Sequence, residues 1–183
     1  MQPLLACRGP ATTLARMYEP TTDGDGCTWY FAYGSNMQRA TFEGRRGMRP
    51  RQRTWGRLAG YRLCFDLPVG PGERGVANIV IDSAECVCGV LYLLTPEEIE
   101  RLDRTEGVPN GYYRRVEVDV VDCDGVTVRA WTYASAFATT GRKPSARYLG
   151  LLLEGAREHG LPGDYVSRLE QLDLAHDERI QEG

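Results

Sequence analysis

The sequence predicts an α+β fold in which about six strands close into a small mixed β-barrel with flanking helices. Three observations predict it. Strand-like segments come first and lie mostly next to one another, helical segments come late, and glycine interrupts a strand-like run where a sheet can curl. The strand-like segments are 29–33, 57–66, 76–81, 86–94, 112–121 and 126–135.

Taken in order, residues 1–27 come before any sustained period. Gly, Pro, Thr and Asp dominate from Glu19 to Gly26, so this segment reads as a flexible N-terminal arm. The first strand is the apolar run Tyr30-Phe31-Ala32-Tyr33, stopped by Gly34-Ser35-Asn36, three residue types that turn a chain. The fourth contains Gly89, a hint of a bulge or barrel corner. A helix over 95–106 follows, with Thr95 as cap, Pro96 at the first helical position and Glu98 completing a capping box. Ile99 and Leu102 give this helix its apolar face, and Gly107 then Pro109 end it. Val116, Val118 and Val120 alternate with more polar residues, Asp122-Cys123-Asp124-Gly125 turns the chain, and Val126, Val128, Ala130 and Thr132 alternate in the returning strand. Ser145 caps a helix carrying Tyr148, Leu149, Leu152, Leu153 and Ala156, ended by Gly160 and Pro162. A short third helix spans Asp164 to Leu172, and a charged tail over 175–183 reads as frayed. The core domain is thus 28–174.

At 183 residues the chain has the size of one globular domain, and 42% hydrophobic with 26% charged residues is ordinary for a soluble protein. A net charge of −3 gives no reason to expect nucleic acid. The one basic cluster, Arg45, Arg46, Arg49, Arg51 and Arg53 through Trp55 to Arg57, reads as a solvated loop ahead of a phosphate-binding patch. No apolar run of about 18 residues is present to cross a membrane, and Met1 to Pro10 does not resemble a signal peptide. The six cysteines read as reduced thiols of a cytoplasmic protein. Cys86-Val87-Cys88 lacks metal-site spacing, and strand alternation is read as sending its residues to opposite faces. With His159 and His176 the only histidines, no metal cluster is expected.

Two stretches carry chemistry. The Gly34-Ser35-Asn36 turn can be a plain strand-to-loop junction or a nest whose N–H groups, hydroxyl and amide hold an anion or oxyanion. In Leu102-Asp103-Arg104-Thr105-Glu106-Gly107-Val108, Glu106 falls at the helix C-terminus, where the macrodipole disfavours negative charge. That placement nudges a carboxyl pKa upward, the direction a general base needs. The competing reading is a surface acid beside Arg104.

Together these motifs resemble the γ-glutamylcyclotransferase family. The resemblance continues in Asn110-Gly111-Tyr112-Tyr113, in Pro144-Ser145-Ala146-Arg147-Tyr148 and in Gly155 to Pro162, and covers about residues 28 to 172. It implies a cofactor-free, metal-free enzyme that releases an amino acid or amine from a γ-glutamyl group and forms 5-oxoproline. By the resemblance Glu106 is the general acid/base, and Tyr30, Phe31, Ala32, Tyr33, Gly34, Ser35, Asn36, Tyr113 and Tyr148 contact substrate. The implied partner is a small γ-glutamyl compound, with a homodimer left open. The Gly-Ser-Asn form is similar to the general γ-glutamyl amino acid branch, since glutathione-specific relatives carry a different continuation after Gly-Ser. A γ-glutamylamine cyclase or a biosynthetic deprotection enzyme shares Glu106 and differs in pocket shape. A non-catalytic binding barrel is the alternative of another class.

Overall fold

A computed structural model describes residues 26–176 of the chain. Its five strands are β1 (Thr28–Ala32), β2 (Gln52–Pro68), β3 (Gly75–Leu94), β4 (Arg114–Asp122) and β5 (Thr127–Ala134). They close into a barrel in the order β1-β3-β2-β4-β5. Three helices flank it: α1 (Pro96–Thr105), α2 (Ala146–Glu158) and α3 (Gly163–Glu170). The barrel is mixed because β1 runs antiparallel to β3 but parallel to β5, where the single pair Tyr30↔Trp131 joins them.

Five strands stand where about six were expected, because segments 76–81 and 86–94 are one strand. Pairing with β2 passes from Tyr61↔Ile81 directly to Ala59↔Cys86. The intervening residues 82–85 are the extra length of a bulge on β3, so a polar stretch that mimics a loop lies inside a continuous strand. Gly89 is no bulge. It pairs regularly with Gly56, and a Cβ there would lie 2.3 Å from the Ala32 carbonyl oxygen. Close approach of β1 is what requires glycine. Cys86 and Cys88 also correct the expectation: residues two apart share a strand face, and the two thiols are neighbours.

The helix signals of the sequence reappear as contacts. The Thr95 side chain accepts the Glu98 N–H, and the Glu98 carboxylate accepts the Thr95 N–H, closing the capping box. The other oxygen of Glu98 accepts Arg49 N–H at 2.6 Å, tying the arginine-rich segment to α1. Ser145 accepts the Tyr148 N–H at the start of α2. The barrel interior and the undersides of the helices form one core, with Phe31, Met37, Phe42, Leu58, Val90, Leu91, Tyr92, Leu102 and Leu152 wholly buried.

Residues 1–25 and 177–183 lie outside the described residues, and with them most of the expected arm and tail. Cys27, assigned to the arm, is buried in the fold. Ala175 and His176, assigned to the tail, donate backbone N–H groups to the Pro144 carbonyl and the Glu73 carboxylate. Among the described residues no helix is long and apolar enough to cross a membrane.

Candidate active site

The chain leaving β1 tightens at once into a 3₁₀ turn, Ser35–Met37, closed by Met37 N–H to the Gly34 carbonyl at 3.0 Å. A π-helical stretch, Ala40–Arg45, follows, with Arg46 N–H reaching the Thr41 carbonyl at 3.0 Å. Two bonds pin this segment against α2: Gln38 Nε2 to Glu154 at 2.6 Å, and Arg39 N–H to Glu158 at 2.8 Å. Across the cavity α1 ends at Glu106, its C-cap, and Gly107 reverses the chain with φ of 68°, a left-handed conformation suited to glycine. Two segments seventy residues apart in sequence are thereby brought together.

Their meeting point is one oxygen of Glu106. Asn36 Nδ2 donates to Glu106 Oε1 at 3.0 Å, and Arg46 Nη1 approaches the same atom at 3.0 Å. The Glu106 and Arg46 side chains are 14% and 20% exposed, so this ion pair is largely shielded from water. A carboxylate at a helix C-terminus needs compensation, and the guanidinium with the amide provides it. Arg104, the partner suggested by sequence proximity, does not form this pair. Asn36 Nδ2 also reaches the Tyr30 hydroxyl at 2.9 Å, while its buried Oδ1 has no partner among the described residues.

Glu106 and Asn36 line a narrow cavity with Tyr30, Tyr33, Gly34, Ser35, Ala77, Tyr113, Tyr133 and Tyr148. Its space of about 40 Å³ equals roughly three water-sized groups. Eight of the ten sequence-derived site residues are therefore together: Glu106, Tyr30, Tyr33, Gly34, Ser35, Asn36, Tyr113 and Tyr148. Phe31 and Ala32 are not among the lining residues. Both are fully buried in the core, and Phe31 contributes instead its carbonyl, which accepts the Thr132 hydroxyl at 2.8 Å across the β1–β5 seam.

Burial raises all five cavity tyrosines above the ordinary phenol range, and the Glu106 charge adds to it. They therefore stay neutral hydroxyl groups near pH 7. Tyr33 donates to the Tyr133 carbonyl, Tyr113 to the Ala77 carbonyl at 2.7 Å, and Tyr133 to Asp103 at 2.7 Å. Tyr30 and Tyr148 instead use their oxygens as acceptors, from Asn36 and from Ala77 N–H at 3.1 Å. The Tyr148 hydroxyl also interacts with Ser35.

Sequence reasoning missed Arg46, Ala77 and Tyr133. Arg46 lay in a recognised arginine cluster, but singling it out requires the π-helical stretch that turns it toward α1. Tyr133 sits on the strand parity opposite to the expected inward set, and α1 buries that face as well.

The chain as a whole is similar to known proteins. Residues 86–169 match the model of the AIG2-like family. The chain is 30% identical over 151 residues to the gamma-glutamylcyclotransferase of Mus musculus, covering 79% of this chain and 78% of that protein. It is 32% identical over 143 residues to gamma-glutamyl cyclotransferase gliK of Claviceps purpurea, covering 73% and 64%. A solved structure of a gamma-glutamyl cyclotransferase superposes with a TM-score of 0.72 at 26% identity, over 81% of this chain and 89% of that one.

Proposed function

We propose, from the premise that the chain belongs to the γ-glutamylcyclotransferase family, that it is an enzyme cleaving γ-glutamyl compounds to 5-oxoproline and a free amine or amino acid. One observation carries the mechanistic part. A carboxylate on the wall of a tyrosine-lined cavity is held by two donors through one oxygen, with Oε2 as its other oxygen.

In this reading Oε2 of Glu106 takes a proton from the substrate α-ammonium. The freed amine attacks its own γ-carbonyl carbon, forming the ring C–N bond and a tetrahedral oxyanion. Collapse breaks the bond to the leaving nitrogen. The two protons lost by the α-nitrogen pass through Glu106 to that nitrogen, which departs as an ammonium, and Glu106 ends ionised as it began. General acid–base transfer of this kind contributes about 10²- to 10⁴-fold. Holding the glutamyl chain folded supplies a further part of the rate, because the ring closes within one molecule. The hydroxyl hydrogens of Tyr30 and Tyr148, with the Gly34–Asn36 turn, are the donors for the oxyanion and the α-carboxylate.

The test is 5-oxoproline release from a panel of γ-glutamyl amino acids, γ-glutamyl amines and glutathione, run beside Glu106→Gln. Glutamine keeps size and removes the base. Turnover lost by at least two orders of magnitude, with binding largely kept, is expected. A folded Glu106→Gln protein of unchanged activity rejects the assignment.

A further inference from the structure

A second space lies beside the cavity. It is an open groove of about 510 Å³, within the size range of small-molecule sites, lined by Leu67, Pro68, Val69, Val76, Tyr112 and Phe137 with neighbouring small residues and no charged side chain. Tyr112 and Phe137 are 57% and 56% exposed, and their rings lie 6.5 Å apart. Large apolar side chains exposed as a group mark a binding surface more often than singly exposed ones do.

Its position says what it binds. Val76 lines the groove and Ala77 the cavity; Tyr112 lines the groove and Tyr113 the cavity. The two spaces thus share a wall whose consecutive residues face opposite ways. Tyr112 also packs on the turn that follows Glu106. Its N–H reaches the Gly107 carbonyl at 3.2 Å, and its Cδ2 lies 2.8 Å from where a Gly107 side chain would begin. The cavity, at about 40 Å³, is small beside the groove. Resting on the cyclotransferase reading above, we propose that the groove receives the leaving group, and that the preferred substrates are γ-glutamyl derivatives of amino acids or amines with aromatic or branched aliphatic side chains. The absence of charged lining argues against a charged side chain there, since burying an unpaired charge is costly.

The experiment compares kcat/KM for γ-glutamylphenylalanine, γ-glutamylleucine, γ-glutamylglycine and γ-glutamylglutamate in the wild type, Phe137→Ala and Val69→Asp. Partial burial of an apolar side chain in an open groove corresponds to a preference for phenylalanine over glycine of about 10- to 100-fold. In both variants that ratio falls at least about tenfold, chiefly through KM. Thermal unfolding checks that the variants fold, which the exposure of both positions favours. A flat wild-type profile, or a preference untouched by both substitutions, overturns the groove while leaving the cyclotransferase reading in place. Absence of turnover with every γ-glutamyl compound overturns both.

Discussion

Replacing Asn36 by Asp reverses the sign of one contact while keeping its shape. In the native protein Nδ2 donates to Glu106 Oε1 at 3.0 Å. A carboxylate oxygen in that place would repel Glu106 by about 5.5 kcal/mol at an effective dielectric of 20. Arg46, equally close to the same oxygen, and the residual exposure of the pair reduce this to roughly 2–3 kcal/mol. Either Glu106 swings away or it takes up a proton, and both outcomes remove the base. Asn36→Ser provides the reference, since it loses the same two donor contacts, to Glu106 and to the Tyr30 hydroxyl, without adding a charge; the charge-assisted one is worth about 1.5–3 kcal/mol. At 1.36 kcal/mol per decade, the aspartate variant should fall roughly 30- to 150-fold below the serine variant in kcat/KM for 5-oxoproline release. Circular dichroism and thermal unfolding establish that both variants fold. Equal activity of the two would refute the claim that charge complementarity at Oε1 sets up the reaction.

Arg46→Met should lower kcat/KM about 10- to 100-fold, and Arg46→Lys should recover part of the loss by restoring the charge without the planar fork; steady-state kinetics separates them. Gly89→Ala should destabilise the fold by at least about 3 kcal/mol, since the added methyl meets the Ala32 carbonyl and the Phe31 ring, and calorimetry should show Tm lower by about 6–12 °C. Burial holds the His159 imidazole below its ordinary value of 6.5. Below that pH the unfolded chain binds a proton the native protein refuses, so stability falls as pH drops through and beneath about 6.5. His159→Gln should flatten this slope in urea titrations run at pH 7.5 and 5.5.

What the sequence made legible was local. Thr95, Pro96 and Glu98 announce the start of α1, and Gly107 its end, because capping chemistry acts within four residues. The Asp122–Gly125 hairpin was legible for the same reason, its turn closed by Gly125 N–H to the Asp122 carbonyl at 3.1 Å. Long-range facts were not. The partnership of Arg46 with Glu106 depends on a π-helical stretch that no short pattern specifies. Phe31 and Ala32 belong to the recognised motif, yet both are buried in the core while Tyr30 and Tyr33 line the cavity; strand alternation accounts for Phe31, whereas Ala32 shares the Tyr30 face and has only a methyl group to present. The polar residues 82–85 read as a break because a long bulge and a loop share a composition.

The seams of the barrel bear on how the protein reaches its working form. β2 and β3 form a long local hairpin, and β4 and β5 a second, whereas β1 meets β5 through a single ladder pair, Tyr30↔Trp131. Loop-closure entropy favours the hairpins forming first, with β1 docking after them. Only that last docking carries Asn36 to Glu106, so partly assembled chains hold both hairpins and no base in position. Recovery of catalytic turnover during refolding would therefore lag behind recovery of β-sheet signal, making activity a clock for barrel closure.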